Sequence, residues 1–103
     1  MTNATGARIW HNTVVFDDQF HNTGQSTFGY TTNTGAVNND VRNNNFSITR
    51  SVTNASKIGI EILAGNTCEN NNVYVNGGGS NNYYGNQGSN YATLAAWQAG
   101  TAY

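Results

Sequence analysis

Proline is absent from this chain of 103 residues, cysteine occurs once, and Asp, Glu, Lys and Arg together make only 9% of it. The single Cys68 excludes an internal disulfide, a paired-cysteine zinc site and a dithiol redox pair within one chain. Four basic residues, Arg8, Arg42, Arg50 and Lys57, cannot form a phosphate-neutralising stripe, so nucleic acid is not an expected partner. Nor is a membrane: no run approaches the roughly 20 apolar residues of a spanning helix. The first residues lack the basic and apolar regions of a signal peptide, so the expectation is a soluble chain that carries no address. A helical bundle is excluded because it needs Ala, Leu, Glu and Lys in bulk.

What the chain has instead is Asn, Thr, Gly and Ser in numbers of 19, 13, 12 and 6. Generic disorder does not fit, given no proline, a net charge of -1 and 12% aromatic residues. Such a bias suits many tight turns between short strands in one small domain.

Three segments share a pattern without a gap: IWHNTVVF from Ile9, VRNNNFSI from Val41 and CENNNVYV from Cys68. Position one is Ile9, Val41 and Cys68; position four is Asn12, Asn44 and Asn71; position six is Val14, Phe46 and Val73; position eight is Phe16, Ile48 and Val75. Positions one, six and eight are small or apolar in every copy. Positions two (Trp10, Arg42, Glu69) and seven (Val15, Ser47, Tyr74) are mixed, which is the period of two of a strand with one buried face. Offsets of about 30 residues are far longer than a hairpin needs and suit one coil of a solenoid. STFGY and SKIGI match as well, pairing Phe28 with Ile58, Gly29 with Gly59 and Tyr30 with Ile60, so each coil is expected to hold at least two strands. Stacked in register, Asn12, Asn44 and Asn71 form an amide ladder.

Residues 89–103 differ from everything before them and read as a helix over 92–98, capped by Ser89 or Asn90 and stopped at Gly100. Tyr91, Leu94 and Trp97 or Ala95 share a face that can lie across the end of a solenoid. The expected division is 1–88 for the coils and 89–103 for a capping helix and tail.

With paired Asn before short apolar strands, then NNVYVNGGG and NYATLAAWQAGT, the chain resembles the last coils of right-handed parallel β-helix proteins of the pectate-lyase type. The most specific part is Leu94 to Gln98. The resemblance implies an all-β fold, a short right-handed parallel β-helix of about three coils with a C-terminal helical cap. More loosely it implies polysaccharide as a partner and an extracellular or cell-surface location. Members have many coils before the closing segment, so the chain is expected to be the C-terminal part of a larger protein.

A lyase of this class uses a Lys or Arg base beside acidic residues that hold calcium, and such residues are sparse here. Asp17 and Asp18 are the one weak calcium candidate, since hard cations want six or more oxygens; no cofactor is otherwise expected. Arg42 and Glu69 hold the same outward position in successive coils and are expected to pair at the surface. His11 and His21 lack metal-ligand spacing and read as turn histidines. Cys68, at the inward position, reads as a small buried hydrophobe. Aromatic rings stack on sugar faces while Asn amides bond hydroxyls, so Trp10, Tyr74, Tyr83 and Tyr84, placed outward or in turns, are the candidate sugar contacts. No catalytic residue is assigned; Asn12, Asn44, Asn71, Cys68, Leu94 and Trp97 are assigned to structure.

The expected function is therefore a non-catalytic structural or carbohydrate-contacting module. The alternatives are a fragment of a polysaccharide lyase or glycoside hydrolase whose catalytic coils are absent, and a phage or cell-surface adhesion module. MTNATGAR has no apolar face to cover the first coil, so self-association through the open N-terminal coil is expected, most simply as a two-fold dimer.

Overall fold

Short strands with alternating burial, separated by αL turns, are what the Asn- and Gly-rich sequence builds. The computed structural model describes residues 4–19, 24–101 and 103. The strands are β1 (Arg8–Trp10), β2 (Thr13–Phe16), β3 (Thr27–Thr31), β4 (Asp40–Arg42), β5 (Asn45–Ile48), β6 (Lys57–Glu61), β7 (Thr67–Glu69), β8 (Asn72–Val75), β9 (Asn82–Asn86) and β10 (Asn90–Tyr91). Among the described residues one helix follows, α1 (Leu94–Gly100), too short to cross a membrane.

The strands form three sheets, ordered β1-β4-β7, β2-β5-β8 and β3-β6-β9-β10, and every pairing is parallel except β9 with β10. The register is the one expected from the repeat. Ile9 pairs Val41 and Val41 pairs Cys68; Val14, Phe46 and Val73 align, as do Phe16, Ile48 and Val75. Phe28 pairs Ile58 and Tyr30 pairs Ile60. Each repeat holds three strands, where the sequence pointed to at least two.

Single residues in the left-handed region separate the first two strands of each repeat. These are His11, Asn43 and Asn70, with φ of 55°, 55° and 54°. A second set precedes the first strand: Gly6, Asn38 and Gly65, with φ of 71°, 58° and 86°. Gly and Asn dominate because αL costs them least. An amide ladder follows each set. In the first, the Asn12 backbone N–H and Nδ2 both donate to Asn44 Oδ1 at 3.0 Å, and the Asn44 pair donates likewise to Asn71 Oδ1. Asn44 Nδ2 also donates to Ile9 O and Asn71 Nδ2 to Val41 O, so each amide ties two repeats. The second ladder was not anticipated: the Ala7 N–H donates to Asn39 Oδ1 and the Asn39 N–H to Asn66 Oδ1. Its signal is an Asn two residues before Val41 and Cys68, lost in the first copy because Ala7 stands there.

Inside, the sheets approach closely where Gly29 and Gly59 leave room. A Cβ on Gly59 would lie 2.1 Å from Val73 Cγ1, and one on Gly29 3.0 Å from Phe46 Cδ1. The core combines Val41, Phe46, Ile60, Ile62, Tyr30, Cys68 and Trp97. Burial is greatest in the middle repeat: Ile48 is 0% exposed, while Phe16, its equivalent one repeat earlier, is 37%.

The first residues of β3, β6 and β9 align, and each ties down a neighbouring loop by different chemistry. Thr27 Oγ1 accepts from Arg50; Lys57 Nζ donates to Val52 O (2.8 Å) and Ala55 O (3.0 Å); Asn82 Nδ2 donates to Gly77 O and Gly79 O.

At the C-terminal end several expectations are corrected. The N-cap is Thr93, whose hydroxyl accepts from the Ala96 N–H, because residues 90–91 extend the sheet as β10 and leave Ser89 and Asn90 outside the helix. Leu94 is 47% exposed and covers little, whereas Trp97 is 2% exposed. Its indole lies edge-on to Tyr91 (5.6 Å), stacks on Tyr103 (5.8 Å), contacts Tyr84 (6.1 Å) and fills the space above Gly85. Gly100 has no positive φ and ends no Schellman turn; its missing side chain makes room for the Tyr91 ring, whose hydroxyl donates to Gly100 O.

Candidate functional site

Alternation along the strands places Trp10, Arg42 and Glu69 in one column and Val15, Ser47 and Tyr74 in another, with Thr13, Asn45 and Asn72 between them. The αL residues His11, Asn43 and Asn70 join the two sheets, so these columns flank one corner of the stack. Trp10 and Tyr74 are exposed at its opposite ends. The Arg8 guanidinium lies 5.2 Å from the centroid of the Trp10 ring, which holds the indole by a cation–π contact. Asn72 Nδ2 donates to Asn45 Oδ1 at 2.9 Å, fixing an exposed amide pair between the rings. The Tyr74 hydroxyl accepts from Asn76 Nδ2.

The charges around Arg42 are paired with one another. Arg42 Nε lies 3.6 Å from Glu69, as the sequence led us to expect, but its shorter contact is to Asp40, two residues back on the same strand face. With both partners partly exposed the cluster contributes little to stability, about 0–1 kcal/mol.

The other candidates separate. Tyr83 and Tyr84 lie in strand β9, not in a turn, because this segment continues the third sheet next to β6. Tyr84 packs against Trp97 and donates to Asn71 O, so its ring faces the core. Asp17 and Asp18 follow the end of β2, and Asp18 lies 3.5 Å from Arg50 Nη2. Among the described residues no three His, Cys, Asp or Glu side chains gather as a metal site. His11 is a corner residue in the αL region; His21 lies outside the described residues.

Cys68 is buried, and desolvation pushes its thiol up to about 11, with the Asn71 amide bonded to sulfur at 3.4 Å opposing this. It borders a cavity of ≈ 240 Å³ shared with Asn66, Thr67, Glu69 and Tyr103. A thiol this weakly acidic supplies no thiolate at neutral pH.

Sequence reasoning missed Lys57. Its side chain is 0% exposed and its ammonium faces two neutral carbonyls, with Arg50 as the nearby charge; desolvation first, and Arg50 second, lower its pKa. The signal was the lysine second in SKIGI, first in β6, which reads as a solvated strand end. Buried beneath Gly77, it serves the fold and not the outward surface. Comparisons with family models, with curated proteins and with solved structures gave no match.

Proposed function

We propose that the chain is a short right-handed parallel β-helix of about three coils, of the pectate-lyase-like kind, and that it works as a non-catalytic structural module contacting polysaccharide. The three parallel sheets and the buried amide ladders support the architecture. The observation that carries the functional reading is the outward surface with Trp10 and Tyr74 at its ends and the Asn45–Asn72 amide pair between them. Flat rings cover the C–H faces of a pyranose, and primary amides offer both a donor and an acceptor to hydroxyls. Held by rigid strands, such groups lose little freedom on binding.

Affinity electrophoresis through gels containing neutral or acidic polysaccharides tests this. Retardation in at least one gel, reduced by Trp10→Ala and by Tyr74→Ala but not by Leu94→Ala, is the expected result. Unretarded migration in every gel contradicts it, and release of new reducing ends favours a hydrolase or lyase instead.

A further inference from the structure

Of the 19 asparagines, Asn76 alone precedes a glycine. Every other one is followed by a residue whose side chain shields its backbone nitrogen, whereas Gly77 leaves that nitrogen open to the neighbouring amide. Asn76 is exposed and follows directly on β8. Hydrogen bonds hold both the nitrogen and the amide that would react. The Gly77 N–H donates to Asn82 Oδ1 at 2.9 Å, and Asn82 Nδ2 donates back to Gly77 O at 3.2 Å and to Gly79 O at 2.9 Å. Asn76 Nδ2 donates to the Tyr74 hydroxyl at 3.2 Å. On the other side the Asn76 N–H donates to Ile48 O and the Gly78 N–H to Arg50 O, which pins residues 76–78 to the repeat before them.

We propose that Asn76 is a site of deamidation, held in check by the Asn82 side chain and released when residues 76–79 come away from the stack. In the reaction the Gly77 nitrogen gives up its proton and attacks Asn76 Cγ. The new Cγ–N bond closes a succinimide ring, the Cγ–Nδ2 bond breaks, and ammonia leaves carrying that proton. Water then opens the ring at either carbonyl to give aspartate or isoaspartate, with no change of oxidation state. Attack needs the Gly77 nitrogen free of Asn82 and the Asn76 side chain turned back along the chain, and the folded geometry denies both. The folded rate is then the rate of the open segment multiplied by the fraction of time it is open. For isoaspartate the way back is barred. A Cβ on Gly78 would run into Ser51 O and one on Gly79 into Thr53 O, so the segment has no slack for a backbone lengthened by one atom. Gly77 also lies against the Lys57 side chain, so failure to reseat uncovers that buried ammonium.

Ageing the full chain in mildly alkaline buffer, then reading Asn76 by peptide mass spectrometry and isoaspartate by enzymatic methylation, tests this. The native chain should convert at least about a hundredfold more slowly than the same chain unfolded in urea, and Asn82→Ala should speed native conversion about tenfold. Asn82→Ala also weakens the fold, so Asn44→Ala, weakened in the amide ladder instead, is the reference. With urea added until both variants have the same unfolding free energy, Asn82→Ala should still convert faster. Equal rates in the native and unfolded chains overturn the proposal, because the fold then provides no check. Equal rates in the two matched variants overturn it as well, since release would then require unfolding of the whole chain, and so does an unfolded chain whose Asn76 stays intact.

Discussion

Asn44 makes four hydrogen bonds with one buried side chain: it accepts the N–H and Nδ2 of Asn12 and donates to Ile9 O and Asn71 Oδ1. Removing it leaves buried partners unpaired, so Asn44→Ala should cost about 3 kcal/mol in urea unfolding, against about 1 kcal/mol for the half-open Asn12→Ala. Equal costs would show that the amides do not act as a ladder. Cys68 carries the alkaline behaviour. Its thiol titrates near 9.0 when unfolded and about 11 when folded, so its contribution is fully present below pH 9 and is lost as pH rises through 11. By pH 11 this amounts to roughly 2 kcal/mol. The stability gap between the wild type and Cys68→Ala should shrink by that amount from pH 8 to 11, and a constant gap would contradict the burial of the thiol. Tyr30, Tyr84 and Tyr103, raised first by burial and second by the Cys68 charge, act in the same direction and lose that second contribution in Cys68→Ala, so the gap reports Cys68 together with its coupling to them; Lys57, which is lowered, acts the other way.

At the scale of elements, the closest approach between sheets depends on Gly59. Gly59→Ala places a methyl against Val73 Cγ1 and the Tyr84 carbonyl, and should destabilise by about 2–3 kcal/mol in thermal unfolding. A neutral effect would mean that β6 and β8 are not so close. The helix offers a paired test: Trp97→Ala should cost about 3–5 kcal/mol and Leu94→Ala under about 0.5 kcal/mol, since only the indole is buried. The strands and their register were legible because apolar residues recur at positions one, six and eight, and a shift by one residue would turn every one of them outward. The cap was less legible. Ser89 and Asn90 carry good capping side chains, yet sheet extension by Asn90 and Tyr91 outweighs local propensity and moves the cap to Thr93. The outward columns were legible from positions two and seven, but Tyr84 was not, because nothing in the pair Tyr83 and Tyr84 tells which ring faces inward until α1 supplies Trp97 as its neighbour.

For the whole molecule, a 103-residue chain with 9% charge stays folded by stacking three similar layers, so that the middle one is buried on both sides. The aromatic group around Trp97 takes over at one end, where no further repeat follows β9. Residues 27 and 32 positions apart lie in contact as parallel neighbours. Side-chain nuclear Overhauser effects from the middle repeat measure this most directly. Val41 methyls should show cross-peaks to both Ile9 and Cys68, and the Phe46 ring to both Val14 and Val73. Cross-peaks from Val41 to only one of its two neighbours, or long-range effects confined to hairpin separations, would contradict it.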